Sequence, residues 1–104
     1  MARKPTTGPA GDPELLILAS LANGPKHGYA MMTDITTFAG VTLGPGTLYT
    51  AITRLVERKF IMPLEETGRQ RPYRLTAQGS AALTARLNDM RRIATIGLGR
   101  LRTT

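Results

Sequence analysis

Apolar side chains recur at helical spacing in four stretches of this chain, and they gather in two short strand-like segments between the third and the fourth. In the first stretch, Leu15, Leu16, Leu18, Ala19 and Leu21 make a helix from about Pro13 to Ala22 apolar over most of its circumference, as a buried central helix is. Asp12-Pro13 reads as an N-cap followed by proline at the first helical position, with Glu14 near the positive helix end. Asn23-Gly24-Pro25 stops it. A second helix is expected from near His27-Gly28-Tyr29 to about Phe38, with Ala30, Met31, Ile35 and Phe38 turned inward, and Ala39-Gly40 ends it. Val41 to Pro45 is then a short turn.

Gly44-Pro45-Gly46 leads into the third helix with backbone N–H groups facing outward, a geometry that receives a phosphate. Leu48, Ile52, Leu55 and Val56 form its inner face, leaving Thr47, Tyr49, Thr50 and Arg54 on the other. The pair is a helix-turn-helix, and this is how a recognition helix is patterned. The third helix gives out near Lys59. Phe60-Ile61-Met62-Pro63-Leu64 has the length and apolarity of a strand, with Pro63 acceptable only on an edge. Tyr73-Arg74-Leu75-Thr76 alternates as a half-buried strand does. Between them lie Glu65-Glu66-Thr67-Gly68-Arg69-Gln70-Arg71-Pro72, a polar connection with glycine near its middle and arginines beyond it. The product is a basic β-hairpin, which beside a helix-turn-helix is a wing.

From Thr76, an expected N-cap, a last helix extends to about Arg102. Leu83, Leu87, Met90, Ala94, Gly97 and Leu101 recur along it at alternating steps of four and three residues. A small winged domain covers its first turns only, so the remaining stripe is expected to pair with the same helix of a second subunit. Gly97 and Gly99 weaken the final turns by about 1 kcal/mol each.

Composition narrows this picture. With 104 residues and 41% apolar content, the chain forms one compact domain with appendages. The expected organisation is a mobile arm over 1–12, a winged helix-turn-helix over 13–76 and a dimerisation helix over 77–104. The fold class is mainly α with a small β-hairpin, an α+β arrangement. A net charge of +7 favours a polyanionic partner, nucleic acid before membrane. The absence of cysteine excludes disulfides and thiolate zinc sites and suits a reducing cytoplasm. The start of the chain has charge with no apolar run behind it, and no run reaches membrane-spanning length, so neither secretion by that route nor a membrane span is expected.

Candidate chemistry follows from position. Thr47 and Tyr49 open the third helix, where recognition helices touch phosphates and base edges; the alternative for Tyr49 is sideways packing onto the domain. Arg54 faces out one turn further and either reaches DNA or pairs with Glu57. Arg69, Gln70 and Arg71 on the wing are placed to follow the minor groove or the backbone. Arg58, Lys59 and Arg74 at its root either join that surface or balance Glu65 and Glu66. His27 is the sole histidine, without clustered carboxylates for a metal, and is read as a turn histidine bonded to backbone. Met31, Met32 and Met90 fill the core or line an adaptable effector pocket. Arg86, Arg91, Arg92, Arg100 and Arg102 either flank the last helix's apolar stripe or reach DNA. No nucleophile with a base, carboxylate pair or phosphate loop is apparent, so neither catalysis nor a cofactor is expected. The competing function is a winged-helix module that binds RNA or docks a protein.

Four motifs, in order, resemble the PadR family of bacterial transcriptional regulators. They are Glu14-Leu15-Leu16-Ile17-Leu18; Gly24-Pro25-Lys26-His27-Gly28-Tyr29; Gly46-Thr47-Leu48-Tyr49 with Leu55 behind it; and Arg71-Pro72-Tyr73-Arg74-Leu75-Thr76-Ala77-Gln78-Gly79. The resemblance spans Glu14 to roughly Arg92. It implies a homodimeric winged helix-turn-helix repressor of a palindromic operator, released when a small molecule or another signal arrives, and the single last helix is similar to that of the short subfamily. It implies that Thr47, Tyr49 and Thr50 enter the major groove and that Tyr29 touches DNA backbone. The homodimer agrees with the stripe of the last helix, where the dimer interface is expected at Leu83, Leu87, Met90, Ala94 and Leu101. Some members hold planar drugs between two interface tryptophans; this chain has no tryptophan, so that mode is not supported.

Overall fold

The Asp12 side chain caps the first helix, its Oδ1 accepting a hydrogen bond from the Leu15 N–H at 3.1 Å, and proline follows at the first helical position. In the computed structural model, which describes residues 11–103, that helix is α1 (Pro13–Leu21). It is followed by β1 (Lys26–His27), α2 (Gly28–Ala39), α3 (Pro45–Glu57), β2 (Ile61–Pro63), β3 (Pro72–Leu75) and α4 (Ala77–Arg102). The expected N-terminal arm, apart from Gly11 and Asp12, lies outside the described residues.

Leu15, Leu16, Ile17, Leu18 and Leu21 are all buried, so α1 is the central helix against which α2, α3 and α4 pack. Met31 and Ile35 of α2, Leu48, Ala51, Ile52 and Leu55 of α3, Ile61 of β2 and Leu83 of α4 complete the core. Ser20 is buried among them, and its hydroxyl is satisfied by donating to Asp34 Oδ2 at 2.7 Å. Lys26 Nζ donates to the Ser20 carbonyl at 2.5 Å and stands 3.9 Å from Asp34, tying α1, β1 and α2 together. A buried hydroxyl left without that partner costs about 1–3 kcal/mol, which gives Asp34 a structural task.

Two details depart from the periodicity. Phe38, expected inward, is 49% exposed, while Leu43, in the segment read only as a turn, is buried. The sheet also has three strands, in the order β1-β3-β2 and antiparallel throughout. β1 pairs Lys26 with Tyr73 and His27 with Pro72. Two residues are too few to show a period, so pairing alone reveals this strand. β2 lies at an edge, where Pro63 leaves no ladder donor missing.

A tight joint links α3 to α4. Lys59 adopts a left-handed φ of 64°, with its N–H donating to Val56 O and that of Phe60 to Leu55 O, both at 3.0 Å, a Schellman ending made without glycine. The Thr76 N–H then donates to Phe60 O at 3.0 Å, its hydroxyl donates to Lys59 O at 2.6 Å, and the same oxygen accepts from the Gly79 N–H at 3.0 Å. Gly79 lies so close that a Cβ there would stand 1.9 Å from the Phe60 carbonyl oxygen. Leu83 is sunk into the protomer's own core at 5% exposure, which removes it from the stripe available to a partner and corrects its expected place at a dimer interface.

Candidate nucleic-acid interface

Helix α3 starts differently from the other helices. Asp12, His27 and Thr76 cap α1, α2 and α4 through their side chains, His27 by accepting the Ala30 N–H on Nδ1 at 3.3 Å, whereas Gly44 before α3 has no side chain to do so. The first-turn N–H groups of α3 therefore lack a side-chain acceptor, at the end where the helix dipole favours an anion. A Cβ at Gly44 or at Gly46 would meet nothing within 4 Å. Neither glycine is demanded by a positive φ, and the bare backbone leaves this end open to close approach.

The outer surface of α3 carries the side chains that the spacing assigns to it. Thr47, Thr50 and Arg54 are exposed and line, with Pro13, Glu14 and Gly46, an open groove against the start of α1. Arg54 makes no ion pair with Glu57 among the described residues. Tyr49 packs sideways onto the domain and still reaches the surface. A methyl group at Gly28 would stand 2.3 Å from Tyr49 Oη, so the phenol lies along the first turn of α2, yet half of the residue remains exposed. Tyr29, one residue further along α2, is 71% exposed.

Thr53 was not singled out by sequence reasoning. It is exposed and follows Thr50 by three residues, so it shares the outward face with Gly46 and Thr50. Its hydroxyl donates to Tyr49 O at 2.9 Å. Extending the helical pattern by one turn would have found it. Glu57 is also exposed, and its charge makes the C-terminal end of α3 the less favourable end for phosphate.

The wing closes on a two-residue turn. Thr67 and Gln70 exchange backbone hydrogen bonds of 2.8 and 3.1 Å, and Gly68 takes a φ of 63° at the first central position, as a tight hairpin turn requires. Arg69 stands at the tip, exposed and without an ion pair among the described residues, with Gln70 exposed beside it. Arg71 does not extend in the same way: its Nη1 donates to the Leu64 carbonyl at 2.7 Å across the wing's stem. At the root, Arg58 pairs with Glu14 at 2.5 Å and Arg74 donates to its neighbour's carbonyl, Leu75 O. Glu65 and Glu66 form no ion pair among the described residues.

The three methionines considered for an effector pocket occupy different environments. Met31 is fully buried, Met32 packs at the core's edge and Met90 is exposed on α4. No described helix is long and apolar enough to cross a membrane.

A helix-turn-helix whose second helix turns a polar face outward beside a hairpin defines the winged helix-turn-helix class. Residues 17–85 match the transcriptional regulator PadR-like family, and the chain belongs to that family. It is similar to an uncharacterized 37.1 kDa protein in transposon TN4556 of Streptomyces fradiae, 45% identical over 83 residues, which cover 80% of this chain and 24% of that one. The chain thus spans about a quarter of that relative's length. Among solved structures, a PadR family transcription regulator from Clostridium difficile superposes with a TM-score of 0.76 at 24% identity, covering 83% of this chain and 94% of that one. A winged-helix DNA-binding protein from STIV superposes with a TM-score of 0.70 at 20% identity, covering 76% and 87%.

Proposed function

We propose that the chain is a sequence-specific DNA-binding protein that acts in the cytoplasm as a homodimeric transcriptional repressor. Helix α3 enters the major groove by its N-terminal half, with Thr47, Tyr49, Thr50 and Arg54 against bases and phosphates, and Tyr29 meets the adjacent backbone. Arg69 and Gln70 at the wing tip follow the neighbouring groove, and Arg71 holds the wing stem in the shape that presents them. The exposed stripe of α4, with Leu87, Met90, Ala94 and Leu101, meets its twin across a twofold axis. Two recognition helices so related call for half-sites about one helical turn apart, roughly 34 Å, in a palindromic operator. A small molecule or another signal releases the operator.

The observation that carries this reading is the surface of α3: an open N-terminus without a side-chain cap followed by exposed Thr47, Thr50 and Arg54, flanked by a wing whose tip is an arginine with no ion pair among the described residues. The test combines mass in solution with titration of a fluorescent palindrome from upstream of the chain's own gene against a scrambled fragment. A dimer that prefers its own upstream DNA supports the reading and adds autoregulation. A dimer that binds RNA or a protein and no DNA sequence above background replaces it, and a monomer removes the twofold operator.

A further inference from the structure

Helix α4 is rooted in the protomer's core at its start. Thr76, Gly79 and Leu83 fix its first two turns, and Arg86 adds an ion pair from Nη2 to Asp12 Oδ2, at the start of α1. From Leu87 to Leu98 every residue is exposed. Beneath Arg86 the packing is incomplete: Leu15, Leu18, Leu55, Phe60 and Ala82 line a cleft of about 230 Å³ that the Arg86 and Arg58 side chains border. On that side of α4 the Arg86–Asp12 pair is a polar link to the start of α1.

We infer that Asp12 and Arg86 form a positioning pair that fixes the angle of α4 to the recognition helix, and through it the half-site spacing the dimer accepts; this rests on the homodimeric DNA-binding reading. Asp12 suits the task because it is already immobilised, one carboxylate oxygen capping α1 while the other holds Arg86. The Arg58–Glu14 pair locks the end of α3 to the same first turn of α1, so both helices are referred to one rigid point. An exposed ion pair contributes little to stability, but leverage magnifies its geometric effect. About 24 Å of helix extends past Arg86 at 1.5 Å per residue. Tilting it by about 10° shifts the far end by about 4 Å, close to one base-pair step of roughly 3.4 Å.

The test uses the full chain and a palindrome selected by the wild-type protein from random duplex DNA, then rebuilt with its half-sites one base pair closer and one or two further apart. Wild type is expected to bind the selected spacing about tenfold more tightly than its neighbours, the order of one lost specific contact. Asp12→Asn, which keeps an N-cap, and Arg86→Gln are expected to reduce that preference to less than about threefold. Arg86→Lys, which keeps the charge, is expected to retain most of it. Unchanged preference in both Asp12→Asn and Arg86→Gln, or equal loss in Arg86→Lys and Arg86→Gln, overturns the positioning role while leaving the dimeric DNA-binding reading intact. Failure of wild type to select any palindrome overturns both.

Discussion

Two glycines separate structural from functional demands at the scale of single residues. At Gly79 a Cβ would meet backbone, the Phe60 carbonyl, at 1.9 Å. Backbone there cannot swing aside, because Phe60 is held by Leu55 and Thr76. Gly79→Ala is therefore expected to destabilise the fold by about 2–3 kcal/mol, lowering the midpoint in a thermal melt by roughly 10 °C or more for a chain of this size. At Gly28 a Cβ would meet the far end of the Tyr49 side chain, which can rotate away. Gly28→Ala is expected to leave the midpoint nearly unchanged and to weaken operator binding, because it displaces a ring at the end of α3 that the proposed function sets against DNA. A large loss of stability in Gly28→Ala, seen in the same melt, would make Tyr49 a core residue. The Gly79 contact was invisible in the sequence, where glycine after Ala77-Gln78 carries no sign of what lies above it.

The wing illustrates how an element differs from its composition. Arg69 and Arg71 are alike in sequence, and their place on the wing predicts DNA contact for both. In the folded hairpin only Arg69 is free, while Arg71 bonds to Leu64 O and braces the stem. Arg69→Ala is expected to weaken binding to operator and random DNA alike and to reduce the slope of log affinity against log salt by about one. Arg71→Ala is expected in addition to speed amide exchange of the wing, measured without DNA, since a stem hydrogen bond is lost. Equal exchange rates in wild type and Arg71→Ala would return Arg71 to a purely DNA-facing role. Helix α3 was more legible: its inner and outer faces follow from a single period, and Leu48, Ile52 and Leu55 are buried as that period requires. Tyr49 stayed ambiguous because its partner, Gly28, belongs to another helix.

For the whole molecule, the decisive feature is the length of α4 beyond the domain that roots it. Leu87, Met90, Ile93, Ile96 and Leu98 are exposed apolar residues within one protomer, more than isolated surface positions require. Replacing Leu87 and Met90 together with lysine is expected to give a folded monomer by sedimentation, with an unfolding midpoint that no longer depends on concentration. Its affinity for a full palindrome should fall to that for a single half-site. A variant that stays dimeric and still prefers the palindrome would move the interface elsewhere. The core of the protomer survives the change, because Leu83, one turn earlier, is the last α4 side chain buried in it.

The sequence by itself determined what is local: four helices, with caps at Asp12 and Thr76, a hairpin with Gly68 in its turn, the polar face of α3 and family membership. Helical period, capping chemistry and positive-φ glycine act over a few residues and are therefore written in order along the chain. Tertiary structure alone decided what depends on distant partners. It paired Lys26 and His27 with β3, exposed Phe38 and buried Leu43, turned Arg71 back onto its own wing, sank Leu83 into the core and joined Arg86 to Asp12 across 74 positions. Those outcomes rest on which surfaces meet once the elements pack, and no local pattern encodes that choice.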